Sequence, residues 1–196
     1  MQRNLLLITS FIFIVMAACY PEKTDPKCEV QTVLENIAAR KSVRKYQAKA
    51  VEKEKVQLML KAAMAAPSGK DTRPWEFIVV EDRETLNKMG DGLPYAKMLK
   101  EASLAIVVCG DTTKSFYWYL DCALAGQNIL LSAQALGLGA VWTATYPYPE
   151  RMDVVKEALN LPEHINSLCV IPVGYPLTES KPKDKWDGSR IHYDEW

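Results

Sequence analysis

The sequence is short of the residues from which most hydrolytic and metal-dependent sites are built. It contains only two histidines, His164 and His192, and no Cys/His spacing that is typical of a metal site. The G-x-S-x-G motif of a serine nucleophile does not occur, and neither does a G-x-G-x-x-G or Walker loop for a nucleotide. A site with no evident nucleophile or metal suits a protein whose bound cofactor carries the chemistry.

The chain also lacks net charge, because 24 Lys and Arg residues balance 24 Asp and Glu residues. A nucleic-acid partner is therefore not expected. Against this neutral background, residues 40–46 hold four cations and one serine, Ser42. The ordinary interpretation of such a cluster is a solvated surface. The alternative is a site for a small anion such as a phosphate, which arginine forks and a hydroxyl bind well.

The first nineteen residues differ in composition from the rest of the chain. Arg3 precedes an apolar run over residues 5–16, and small residues then lead to Cys19, as in the lipobox of bacterial lipoproteins. We interpret residues 1–18 as a signal peptide, Cys19 as a lipidation site and residues 19–28 as a tether to one domain over residues 29–196. An uncleaved anchor or an ordinary signal peptide is the alternative. This interpretation predicts an exported, membrane-anchored lipoprotein.

An exported protein can form disulfides, but the remaining cysteines favour a different prediction. Cys109 and Cys169 lie in apolar runs with strand character, and Cys122 lies in an apolar helical stretch. We expect these thiols to be buried and to pack as small hydrophobic groups.

Hydrophobic periodicity predicts helices and strands in an order that favours an α+β fold, since two helices precede any strand. The predicted helices cover residues 29–40, 51–66, 83–89, 93–102, 116–136 and 149–159, and the predicted strands cover residues 75–80, 104–109, 140–144 and 167–174. The run over 104–109 is apolar throughout, which is typical of a strand buried on both faces. The helix over 116–136 is apolar nearly all round, which indicates a core or a subunit interface rather than a membrane span.

Four motifs, in this order, resemble those of the FMN-dependent nitroreductase family. They occupy residues 39–46; residues 65–69 with 73–77; residues 137–142; and residues 172–176 with 181–185 and 191–193. The resemblance implies a mixed sheet flanked by helices, with a long central helix at a homodimer interface and FMN bound there. It also implies that hydride passes from NAD(P)H through the flavin to an electron-poor acceptor such as a nitroaromatic or a quinone.

The same resemblance assigns cofactor-binding positions residue by residue. Arg40 and Ser42 would hold the FMN phosphate beside Lys41, and Arg44 would approach the pyrimidine edge of the flavin. The partner subunit would supply a loop that covers the ring, and Lys97 and a strand end would complete the ring site. A tail cation would complete the phosphate site. The loop residues are Pro67, Ser68 and Gly69, the strand end is Ala144 and Thr145, and the tail cation is Lys185, with Lys183 and Arg190 as rivals.

The second motif departs from the family pattern, because Asp71 and Arg73 stand where relatives carry amides, and we expect the two side chains to pair. No side chain is expected to act as a nucleophile. The alternative function is a lipid-anchored flavin-binding or scaffold protein of the same fold without turnover. Because NAD(P)H is scarce outside the cytoplasm, either another reductant serves an exported protein, or the signal interpretation fails and the protein is cytoplasmic.

Overall fold

The computed structural model of the protein describes residues 26–196, with side chains from residue 32 onward. The helices within these residues are α1 Pro26–Ala39, α2 Lys53–Met64, α3 Arg83–Gly92, α4 Trp118–Ala135 and α5 Pro149–Leu159. The strands are β1 Trp75–Val80, β2 Leu104–Asp111, β3 Gly139–Ala140, β4 Thr143–Ala144 and β5 Ile165–Gly174. The expected signal peptide and Cys19 lie outside the described residues, and α1 begins inside the segment expected to be a tether.

The strands form one five-stranded sheet in the order β1-β2-β5-β3, with β4 also paired to β5. Every ladder between these strands is antiparallel. Parallel pairing occurs at the isolated bridge between Ser42 and Ala140. Helices surrounding an antiparallel sheet confirm the predicted α+β fold class.

Strand β2 runs through the middle of the core, and all eight of its residues are buried. Its side chains alternate between the two faces of the sheet. Ile106 packs on the face covered by α2 and α4, where it joins Met59 and Ile129. Val107 packs on the opposite face, where it joins Leu86 of α3 and Val155 of α5. A strand with helices on both faces has no polar side, which confirms the interpretation of the apolar run.

The three core cysteines are free and buried, as predicted. Burial raises the pKa of the Cys109 and Cys122 thiols to about 12 and raises that of Cys169 as well. These thiols therefore stay protonated near neutral pH. Among the described helices, none is long and apolar enough to cross a membrane, and this includes the apolar helix α4.

The predicted helix over residues 93–102 is wrong for most of its length. Leu93 ends α3 in an extended conformation, with φ −92° and ψ 126°. It precedes Pro94, and the proline ring disfavours helical backbone at the preceding residue. Only a single 3₁₀ turn, Lys97–Lys100, follows. The predicted strand over 140–144 is likewise divided into the two short strands β3 and β4.

Candidate functional site

The basic segment, residues 40–46, leaves the end of α1 and lies along the edge strand β3. The Val43 amide donates a hydrogen bond to the Ala140 carbonyl over 3.0 Å. The Val43 side chain is buried against Gly139, where an added Cβ would lie 2.6 Å from the valine Cβ. The close packing of the Val43 side chain on this backbone therefore requires glycine at position 139.

Tyr46 is the second anchor of the basic segment. Its hydroxyl donates to the Val43 carbonyl at 2.7 Å and lies 3.2 Å from the Pro172 carbonyl. Its ring packs where a Cβ on Gly174 would lie 2.9 Å away. Burial raises the pKa of Tyr46, so the hydroxyl remains a donor at any ordinary pH. Two buried anchors thus fix the backbone from which Arg40 and Arg44 project.

Arg40 lines a cavity of about 430 Å³ between the end of α1 and the C-terminal tail, which we call the Arg40 cavity. The tail contributes Lys183 and Lys185 to the same lining, together with Asp184. The structure therefore brings together the opening-motif arginine and two of the three tail cations considered from sequence. The third, Arg190, pairs instead with Asp187 over 2.9 Å and is largely exposed.

Arg44 lines a second cavity, of about 540 Å³, which we call the Arg44 cavity. Lys97 from the 3₁₀ turn and Ala144 from β4 lie in its wall. Val141 and Trp142 add apolar surface. The cavity therefore combines cationic groups with a largely apolar lining, which suits an apolar ring that carries partial negative charge.

Three assigned residues have contacts that define their roles further. The Lys41 ammonium donates to the Ser180 carbonyl and so ties the basic segment to the tail. Ser42 is exposed, so its hydroxyl is accessible to a ligand. Thr145 corrects the sequence prediction: it is fully buried, its amide donates to the Leu168 carbonyl at 3.0 Å, and its hydroxyl donates to the Ser167 carbonyl at 2.8 Å. Those donors are already used and cannot meet a ring.

The loop with Pro67, Ser68 and Gly69 lines neither cavity of its own chain. It is held by Asp121 of α4, a buried carboxylate that accepts the Gly69 amide at 2.9 Å. The Asp121 carboxylate also accepts the Ser115 hydroxyl at 3.1 Å. The sequence analysis did not identify Asp121 as a positioning residue, although an acidic residue in the first turn of a largely apolar helix was a usable signal.

Asp71 and Arg73 of this loop pair as predicted, with two hydrogen bonds of 2.7 and 2.6 Å. These bonds hold the pKa of the Asp71 carboxyl below its usual range. Both residues have positive φ, at 55° and 47°. Non-glycine residues pay a steric penalty in this region, so the loop conformation depends on its contacts.

The sequence analysis also missed Arg151, the third residue of α5, which lines the Arg44 cavity. Its guanidinium lies 3.7 Å from the centre of the Tyr148 ring and 5.5 Å from that of Tyr95. A cation in the first turn of a helix opposes the helix dipole. That unfavourable placement was the signal in the sequence.

Comparison with known proteins gives one consistent result. The model of the nitroreductase family matches residues 37–107 and 91–175. A protein of Methanothermobacter thermautotrophicus, provisionally named an NADH dehydrogenase/NAD(P)H nitroreductase, is 45% identical over 175 residues, which cover 88% of this chain and 92% of that protein.

Two solved structures extend the comparison. A crystal structure from Bacteroides thetaiotaomicron, under the same provisional name, is 61% identical with a TM-score of 0.84 and covers 84% of this chain and 98% of its own. An FMN-dependent nitroreductase of Clostridium difficile is 34% identical with a TM-score of 0.80, and the match covers 83% of this chain and 99% of the other.

Proposed function

Because the chain belongs to the nitroreductase family, we propose that it is an FMN-dependent NAD(P)H oxidoreductase that reduces electron-poor acceptors such as nitroaromatics or quinones. The observation that carries this proposal is the pair of cavities lined by two arginines of the basic segment. Arg40 shares one cavity with two tail lysines, and Arg44 shares the other with Lys97 and an apolar wall.

The residues present fit FMN in both size and chemistry. The four residue-to-residue steps from Arg40 to Arg44 can span at most about 14 Å, which suits a ligand with a phosphate at one end and a ring at the other. The Arg40 cavity offers three cations to a phosphate, which binds arginine forks and ammonium groups strongly. Lys185 remains our first choice among the tail cations, and Lys183 lies beside it.

When bound, FMN supplies hydride transfer between a reduced donor and an acceptor that occupy the same cavity in turn. The chain supplies binding, orientation and charge. Arg44 and Lys97 place positive charge at the Arg44 cavity, where it stabilises the electron-rich form of a ring. Trp142 and Val141 exclude water from one side of that cavity and so strengthen this electrostatic effect.

We also assign a second copy of the chain as partner. The loop over Pro67–Gly69 would cover the flavin of that copy. Support comes from apolar side chains that α1, α2 and α4 leave exposed, including Leu34, Leu58 and Leu124. Apolar surface concentrated on neighbouring helices is typical of a protein interface.

The membrane anchor is a separate part of the proposal. It rests on the sequence of residues 1–19, with diacylglyceryl on Cys19 of a mature chain whose domain covers residues 29–196. Because NAD(P)H is scarce outside the cytoplasm, the anchor and the NAD(P)H donor are alternatives: a lipidated, exported protein would need another reductant, and use of NAD(P)H would favour a cytoplasmic protein. Mass spectrometry of the mature N-terminus tests this assignment, and a chain that starts at Met1 would remove it.

The experiment for the main proposal is reconstitution with FMN followed by anaerobic addition of NADH or NADPH. Reduction of the bound flavin and reoxidation by a nitroaromatic are expected. Tight FMN binding without reduction by either donor would support the flavin-binding protein without turnover. A sample that binds no FMN would refute both functions.

A further inference from the structure

The proposed FMN site leaves one wall of the Arg44 cavity without a role. That wall is the start of α5 with the facing loop, and its main groups are Arg151 and Tyr95. Tyr148 lies against the guanidinium at 3.7 Å, which fixes the arginine by a cation–π contact. Tyr95 is 74% exposed and presents a flat aromatic surface at the cavity mouth.

Arg151 holds a donor that nothing in the described chain uses. Its Nε is buried and has no hydrogen-bond partner among residues 26–196. The nearest carboxylate oxygen is that of Glu150 at 3.8 Å, which is too far for a hydrogen bond, and the Glu150 side chain is 70% exposed. Buried donors in proteins nearly always have an acceptor. Because Nε is buried, a ligand in the cavity would meet the guanidinium through its other nitrogens, and the unpaired Nε does not itself specify that ligand.

The charges around the cavity specify the ligand further. Among the described residues, those that line it include three cations, Arg44, Lys97 and Arg151, and no Asp or Glu. The proposed flavin site uses the first two. A planar guanidinium is suited to a carboxylate, which it can bind through two parallel hydrogen bonds.

We propose that Arg151 is a specificity-determining residue that binds a carboxylate on the acceptor, whose electron-poor aromatic ring lies between Tyr95 and the flavin. This inference rests on the proposed function, since it names the substrate class of the same cavity. About 540 Å³ must hold the flavin ring as well, so the second ligand is small. The substrate class is therefore a small aromatic acid with a reducible group.

The test compares 4-nitrobenzoate with its methyl ester, which keeps the nitro group and removes the charge. Arg151→Gln should raise KM for the acid roughly tenfold to a hundredfold, the loss expected for a charged hydrogen bond, and leave the ester unchanged. Arg151→Lys keeps the charge without the planar fork, so its KM for the acid should lie between those of the wild type and Arg151→Gln. Lys156→Gln is the matched control, because it removes a cation from the same helix that does not line the cavity.

A readout independent of turnover is the binding of benzoate, which cannot be reduced, to the FMN-loaded protein by calorimetry. Arg151→Gln should weaken it by the same factor, and Lys156→Gln should not. Equal losses for acid and ester, unchanged benzoate affinity, or an effect confined to KM for NADPH or NADH would each overturn the assignment. Absence of ester turnover in the wild type would instead refute the proposed oxidoreductase, and benzoate binding would still test Arg151.

Discussion

Replacing Gly139 with alanine tests whether the basic segment must lie against β3 for the cofactor to bind. The new Cβ would lie 2.6 Å from both Cβ and Cγ1 of Val43. Carbon atoms in contact are normally about 3.5–4.0 Å apart, so the segment must move by about 1 Å. The Val43 hydrogen bond to Ala140, now 3.0 Å, cannot survive such a shift intact.

Two separate losses follow from that displacement. Overpacking of this kind costs about 1–3 kcal/mol of stability. If Arg40 or Arg44 then loses one charge-assisted hydrogen bond, FMN binding weakens by about 1.5–3 kcal/mol, which is roughly tenfold to a hundredfold in Kd. Urea unfolding of the apoprotein measures the first loss, and titration of flavin fluorescence measures the second.

The control is Gly188→Ala, where an added Cβ has no neighbour closer than 3.9 Å. This variant should change neither the free energy of unfolding nor the Kd for FMN. Val43→Ala removes the anchor without overpacking and should also weaken FMN, which keeps the test valid if the alanine at 139 prevents folding. Wild-type FMN affinity in a folded Gly139→Ala protein would refute the reasoning, since it would show that the segment need not stay in place.

Four other predictions concern single contacts. Arg40→Ala should weaken FMN by about 1.5–3 kcal/mol in the same titration, and an unchanged Kd would remove this arginine from the site. Tyr46→Phe leaves the buried Val43 carbonyl without its donor, so urea unfolding should report a loss of about 1–3 kcal/mol; a neutral change would contradict the anchor role. Asp121→Ala should raise hydrogen exchange at Gly69, whose amide loses its acceptor, and exchange at the wild-type rate would exclude that contact. The three buried thiols should resist alkylation in the native protein well above neutral pH, because their raised pKa values keep them protonated; rapid native labelling, found by peptide mass spectrometry, would contradict their burial.

Much of the fold could be predicted from local patterns. Strand β1 and helix α5 have the predicted bounds, because turn-forming residues flank β1 and Pro149 pre-sets the first turn of α5. The prediction of a helix over residues 93–102 was wrong because the apolar residues have helical spacing, whereas Pro94 disfavours helical backbone at Leu93. Apolar periodicity cannot reveal such a conflict by itself.

Less of the site could be predicted from the sequence, because its geometry depends on contacts between residues far apart in the chain. Residues 40–46 are identifiable as a basic cluster, but the anchoring of Val43 and Tyr46 on two glycines depends on strands about a hundred residues later in the chain. Thr145 was assigned to the ring site by its place in a strand end, but its amide already donates to the adjacent strand. Arg151 belongs to no motif, and only folding places it in the cavity with Arg44.

The central claim is that the basic segment holds FMN so that a reduced nucleotide can pass electrons to it. Anaerobic titration of the FMN-loaded protein with NADH and NADPH, followed by visible absorbance, tests this claim most directly. One or both donors should bleach the flavin absorbance stoichiometrically, and a nitroaromatic should restore it. A protein that binds FMN yet stays fully oxidised with both donors, while dithionite reduces it, would contradict the claim.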